Sequence, residues 1–118
     1  MNLNRYTEKA QEAILGAQQA AERNGHPEVL PEHLFVTLAG QRDGIVPAVL
    51  GKMNVDAAGV GHDIQQVLDK LPRAHGGAQP GLSSRLRKVL TTAEQEAERL
   101  KDEYTSTEHL LVAIVAEG

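Results

Sequence analysis

Apolar residues recur at helical spacing through nearly the whole chain. Tyr6, Ala10, Ala13, Ile14, Ala17 and Ala21 form one stripe, which predicts a first helix from Tyr6 to Asn24. Asn24-Gly25 ends it, because glycine accepts the left-handed conformation beyond a helix C-terminus. Pro31 opens a second helix, where its missing N–H costs nothing, and Leu34, Phe35 and Leu38 are its buried face. Gln41 to Gly44 is the exit loop. Asp43 is placed to cap a third helix through Ile45, Val46, Val49, Leu50 and Met53, with Pro47 still in the first turn. Asp56 is the next cap candidate, ahead of a fourth helix on Val60, Ile64, Val67, Leu68 and Leu71 that Gly59 and Gly61 weaken. Pro72 to Gly81 holds three glycines and two prolines in ten residues and reads as a linker. A fifth helix runs from about Ser83 to Glu103 on Leu82, Leu86, Val89, Leu90, Ala93, Ala97 and Leu100. A sixth begins near Thr107 and carries Leu110, Leu111, Ile114 and Val115. No segment alternates with period two, so the expectation is an all-α chain without a sheet.

A shift of 76 residues lays the chain on itself. Tyr6/Leu82, Ala10/Leu86, Ala13/Val89, Ile14/Leu90, Ala17/Ala93 and Ala21/Ala97 coincide, so the two long stripes are one stripe used twice. Ala21-Glu-Arg23 also matches Ala97-Glu-Arg99, and Glu32-His-Leu34 matches Glu108-His-Leu110. Amphipathicity alone does not produce such identities, which indicate a duplicated four-helix unit. The expected architecture is a tandem pseudo-twofold repeat. Residues 6–71 are the first copy, 72–81 the linker and 82–118 a partial second copy that stops after its second helix. The single 1–118 unit then reads as a fragment, or as one whose apolar side from Leu110 to Val115 is covered by another surface.

Composition narrows the function classes. Twelve Lys and Arg against 16 Asp and Glu leave a formal charge of −4, which argues against a nucleic-acid partner. One Phe, two Tyr and no Trp exclude a base-stacking platform. The absence of cysteine removes disulfides, thiol catalysis and Cys-ligated zinc. The longest apolar run, Leu110 to Ala116, falls short of the roughly 18 residues of a membrane span, and Met1 to Arg5 lacks the apolar core of a signal peptide. These features lead to the expectation of a cytoplasmic protein with no membrane partner.

Several polar positions have a structural reading beside a functional one. Glu32 and Glu108 fall in the first turns of their helices, where a carboxylate complements the macrodipole, and Thr105-x-x-Glu108 fits a capping box. Thr7 either caps the first helix or touches a ligand. His33 and His109 are not a metal pair, because adjacent Glu-His side chains diverge around a helix and no third ligand recurs with the repeat; polar packing between the repeats suits them better. His26, His62 and His75 lie in or near loops and need no special role. Leu86, Leu90 and Leu110 have the spacing of core and equally of a hydrophobic groove. Glu94, Glu96, Glu98, Arg99, Lys101 and Asp102 make a solvated face. No nucleophile with a paired base and no Gly-rich phosphate loop is visible, which argues against an enzyme. A DNA-binding helix-turn-helix, suggested by the short turns, is opposed by the acidic fifth helix.

The duplicated Arg5-Tyr-Thr-Glu-Lys-Ala-Gln11, Pro31-Glu-His-Leu34 and Ser106-Thr-Glu-His-Leu-Leu111 resemble the Clp N-terminal repeat domain of the AAA+ unfoldases. The opening Met1 to Thr7, Leu68-Asp-Lys-Leu-Pro72 and Leu100-Lys-Asp-Glu-Tyr104 look like its protein-disaggregase branch. The resemblance implies two four-helix repeats and a domain about thirty residues longer than this chain. It implies a module tethered to a hexameric ATPase ring, binding exposed apolar stretches of unfolded or aggregated polypeptide and passing them to the pore. ATP and Mg would belong to modules absent here, with no cofactor in this chain. The family's surface positions carry over as Thr7, Asp102 and Glu108. A related unfoldase–protease branch uses the Thr of each long helix and the acid of each Glu-His motif as paired phosphoarginine pockets, which places Thr7 with Glu32 and Ser83 with Glu108 and leaves tag or adaptor recognition as the alternative. The substrate-binding set expected is Thr7, Glu32, Ser83, Leu86, Leu90, Asp102, Glu108 and Leu110.

Overall fold

A computed structural model describes residues 2–73 and 79–117. Among them the chain forms six α-helices: α1 (Glu8–Arg23), α2 (Pro31–Ala39), α3 (Ile45–Lys52), α4 (Ala57–Asp69), α5 (Ser84–Arg99) and α6 (Thr107–Glu117). Four belong to the first copy and two to the second. The stripe residues Ala10, Ala13, Ile14, Ala17 and Ala21 of α1, and Leu86, Val89, Leu90, Ala93 and Ala97 of α5, are all buried. All but Ala97 share one apolar cluster with Leu34, Leu38, Val46, Leu50 and Leu110, so α1, α2, α3, α5 and α6 pack on a common core. Small alanine faces let these helices approach closely. At Gly16 a Cβ would come 2.8 Å from the Thr37 methyl, which shows how near α1 lies to α2.

The long helices start and stop alike. The Thr7 hydroxyl accepts the Ala10 N–H at 3.2 Å, and the Ser83 hydroxyl accepts the Leu86 N–H at 3.0 Å, the side-chain cap expected of these residue types. At the far ends Gly25 (φ 70°) and Lys101 (φ 61°) take the same left-handed turn. The next N–H groups, of His26 and Asp102, bond back to Ala21 and Ala97. That turn ends α5 at Arg99, four residues short of the Glu103 expected from periodicity.

The expectation of no sheet fails in a small but informative way. Glu28–Val29 (β1) pairs in parallel with Gly81–Leu82 (β2), and Tyr6 forms an isolated parallel bridge with Thr105. Two-residue pairs carry too little alternation to be read from sequence. They are related by the 76-residue shift and exchange partners between the copies. The Thr7 N–H bonds to the Thr105 carbonyl at 3.0 Å, and the Ser83 N–H to the Val29 carbonyl at 3.0 Å. The lead-in of each long helix therefore pairs with the second-helix lead-in of the other copy.

Other local expectations shift. Gly44, not Asp43, occupies the cap position of α3, and Asp56 stands at that of α4 without a side-chain bond. The linker's last residue is drawn into β2, while 74–78, including His75, lie outside the described residues. His62 is an exposed residue of α4, 3.2 Å from the Gln66 amide.

Candidate functional site

The lead-ins of α2 and α6 bring together the polar residues of each Glu-His motif. In the second copy the capping partners are Ser106 and His109, rather than Thr105 and Glu108. The His109 Nδ1 accepts the Ser106 N–H at 2.8 Å, and the His109 N–H approaches the Ser106 hydroxyl at 3.4 Å. In the first copy the His33 Nδ1 accepts the Leu30 N–H at 2.9 Å. Each histidine thus does the work usually given to Glu or Gln at this position. Its outer nitrogen then meets a residue seven positions upstream: His33 Nε2 lies 2.9 Å from His26 Nδ1, and His109 Nε2 lies 2.9 Å from Asp102 Oδ2.

The first-copy pair is sealed from water, with His26 3% and His33 1% exposed. Burial, helped by the electrostatic influence of the adjacent His26 ring and opposed by Glu32, lowers the His33 pKa to about 4. Because His33 Nδ1 accepts the Leu30 N–H, the neutral ring carries its proton on Nε2 and donates to His26 Nδ1. His26 then carries its own proton on Nε2, which reaches no acceptor. Sequence reasoning gave His26 no role, although the 76-residue shift sets it opposite Asp102.

Around Asp102 and Glu108 the surface is concave. A groove of about 480 Å³ is lined by Leu100, Asp102, Tyr104, Ser106, Glu108 and Val112, with Glu96, Glu103 and His109 completing it. Leu100, Tyr104 and Val112 are 51%, 46% and 54% exposed, an unusual concentration of large apolar side chains in water. Arg99 bonds to Glu96 on the rim and holds its carboxyl below the usual range. Asp102 and Glu103 also border a second hollow, of about 540 Å³, with Arg5, Glu94 and Glu98. Glu94 there accepts the Tyr6 hydroxyl, which burial and this bond keep protonated far above the ordinary phenol range.

Of the eight expected site residues, Asp102 and Glu108 share this groove. Leu86, Leu90 and Leu110 are 2%, 4% and 0% exposed; they are core, because the stripe that carries them faces the inter-helix seam. Thr7 and Ser83 use their hydroxyls as caps, and Ser83 is 4% exposed. The exchange between copies pairs Ser83 with the lead-in before Glu32, and Thr7 with the lead-in before Glu108. Glu32 is engaged by Arg85, which lies two residues into α5. Tyr104 and Val112 were missed, since an isolated apolar residue off the helical stripe looks like ordinary surface, and Leu100, expected on the stripe of α5, is turned out to water because the helix ends at Arg99. Among the described residues, no group of three or more His, Asp or Glu is placed to hold a metal, and no helix is long and apolar enough to cross a membrane.

Duplicated helices, crossed lead-ins and the paired Glu-His motifs define a Clp-type N-terminal repeat domain. The sequence profile of the Clp repeat (R) N-terminal domain family matches residues 5–118, and the chain belongs to that family. It is 42% identical over 113 residues to the chaperone protein ClpB of Bdellovibrio bacteriovorus, covering 95% of this chain and 13% of that protein. The chain thus spans a small part of the relative it matches. The N-terminal domain of the ClpV1 ATPase from E. coli superposes with a TM-score of 0.86 at 26% identity, over 95% of this chain and 68% of that one. The ClpV N-domain in complex with a VipB peptide has a TM-score of 0.78 at 17% identity, over 97% and 69%.

Proposed function

We propose that this chain is a non-catalytic, client-engaging module of a ClpB-type disaggregase of the cytoplasm. It captures exposed apolar stretches of unfolded or aggregated polypeptide and hands them to a hexameric ATPase ring. ATP and Mg act in modules outside this chain, and neither nucleic acid nor membrane is a partner. The observation that carries the reading is the groove at Asp102 and Glu108, where three large apolar side chains stand in water inside an acidic rim. Such a surface binds an extended segment weakly and without strict sequence demands: apolar contact supplies the attraction, and the carboxylates accept backbone N–H groups or pair with basic side chains. Binding of a VipB peptide by a ClpV N-domain supports peptide engagement by this fold. The competing phosphoarginine reading is disfavoured, because Thr7 and Ser83 are occupied as caps and Glu32 is held by Arg85.

The test is a titration of the chain with an unfolded peptide of leucine, lysine and serine, beside free phosphoarginine. Glu108→Ala is expected to weaken peptide binding about fivefold while stability falls by under about 1 kcal/mol. Tight phosphoarginine binding that depends on Glu32 and Glu108, without peptide binding, overturns the proposal.

A further inference from the structure

His33 and His109 stand third in α2 and α6, and each ring reaches back to the residue that follows the left-handed turn of its copy. In the first copy that residue is His26, at 2.9 Å, and in the second it is Asp102, also at 2.9 Å. The reach is therefore set by the turn and the helix start, whichever side chain stands there. In the second copy the bond has a fixed sense. His109 Nδ1 accepts the Ser106 N–H at 2.8 Å, so the ring proton is on Nε2 and is donated to the Asp102 carboxylate. The backbone delivers Asp102 separately, through Lys101 at φ 61° and a bond from the Asp102 N–H to the Ala97 carbonyl at 2.9 Å. All of these partners lie between Ala97 and His109. The neighbours of Asp102 act the other way. It borders one hollow with Glu94, Glu98 and Glu103 and another with Glu96, Glu103 and Glu108, and like charges drive a free carboxylate toward bulk water. Arg5 and Lys101 share the first hollow, but among the described residues no Lys or Arg pairs with Asp102. His109 itself is 7% exposed and offers a client little surface.

We propose that His109 is the positioning residue of the client groove, holding Oδ2 of Asp102 so that Oδ1 is left to accept a client's backbone N–H or basic side chain. The proposal rests on the client-binding reading above. A hydrogen bond to a charged acceptor is one of the stronger kinds, and a carboxylate fixed before binding loses less freedom when a client arrives, so the gain is in affinity rather than in the fold. The bonds to Ser106 and to Asp102 use different ring nitrogens. Capping and positioning can therefore be separated by substitution.

His109→Asn carries an amide oxygen as far along the side chain as Nδ1, which keeps the cap, and stops short of Asp102. His109→Gln carries an amide N–H as far as Nε2 and restores the donor. Affinity for the same leucine–lysine–serine peptide is expected to fall about fivefold in Asp102→Ala and about threefold in His109→Asn, and to return to near the parent value in His109→Gln. The double variant Asp102→Ala, His109→Asn should bind as Asp102→Ala does, since His109 acts through that carboxylate. Losses that multiply in the double variant, equal losses in His109→Asn and His109→Gln, or a folded His109→Asn chain with parent affinity overturn the proposal. Nitrogen-15 spectra of the His109 ring in the parent chain, without peptide, test the geometry directly: the proton belongs on Nε2, and a proton found on Nδ1 overturns the proposal whether or not the variants fold. Parent affinity in Asp102→Ala beside a loss in Glu108→Ala overturns it and leaves client binding intact. No peptide binding by the parent chain removes the client-binding reading, and this proposal with it.

Discussion

At the scale of single residues, His33 and His26 couple helix capping to acidity. His33 is neutral in the folded chain, with a pKa of about 4 against about 6.5 when unfolded. Above the unfolded value neither state binds the proton and the full stability is present. As pH falls below that value the unfolded chain takes up a proton that the folded chain refuses, and stability declines until the folded pKa is reached. On the order of 2 kcal/mol should be lost between pH 7 and pH 5, a range above most carboxylate titration. Urea unfolding at the two pH values measures it, and His33→Gln should flatten the difference. A pH-independent midpoint in the parent chain contradicts the buried neutral assignment. Thr7→Ala, by contrast, removes one cap bond and should cost about 1 kcal/mol at any pH in this range.

At the scale of elements, the left-handed turns after α1 and α5 give a matched pair of experiments. Gly25→Ala places a Cβ where the backbone has φ 70° and should destabilise by about 1 kcal/mol. Lys101→Gly relieves the same conformation in the second copy and should stabilise by a similar amount, about 1 kcal/mol. Denaturant midpoints of the two variants should move in opposite directions. The helices themselves were legible from sequence because a stripe at helical spacing survives every local irregularity. The end of α5 was not, since a lysine gives no sign of a left-handed turn except through its alignment with Gly25. The site was legible in part: the repeat singled out Asp102 and Glu108, but the crossing of the lead-ins is a tertiary pairing that no local pattern encodes. Tyr104 and Val112 lie off the stripes, Leu100 continues the α5 stripe past the point where the helix stops, and the histidine caps use a residue type with no strong capping preference.

At the scale of the molecule, one apolar cluster takes side chains from both copies, so neither is expected to unfold alone. Helix loss by circular dichroism and exposure of the Tyr6 ring by absorbance should trace one transition with a common midpoint. Two separated transitions would mean that the copies are independent units. The crossed lead-ins also bear on the order in which the chain can fold as it is synthesised. Thr7 waits for Thr105, and Ser83 reaches back to Val29. α1 can form its own turns and local cap within microseconds, but the Thr7 N–H before it has no partner until Thr105 has emerged. Closing that distant pair joins the two copies late, so the rate of folding is expected to be set by the meeting of the copies rather than by the making of their helices.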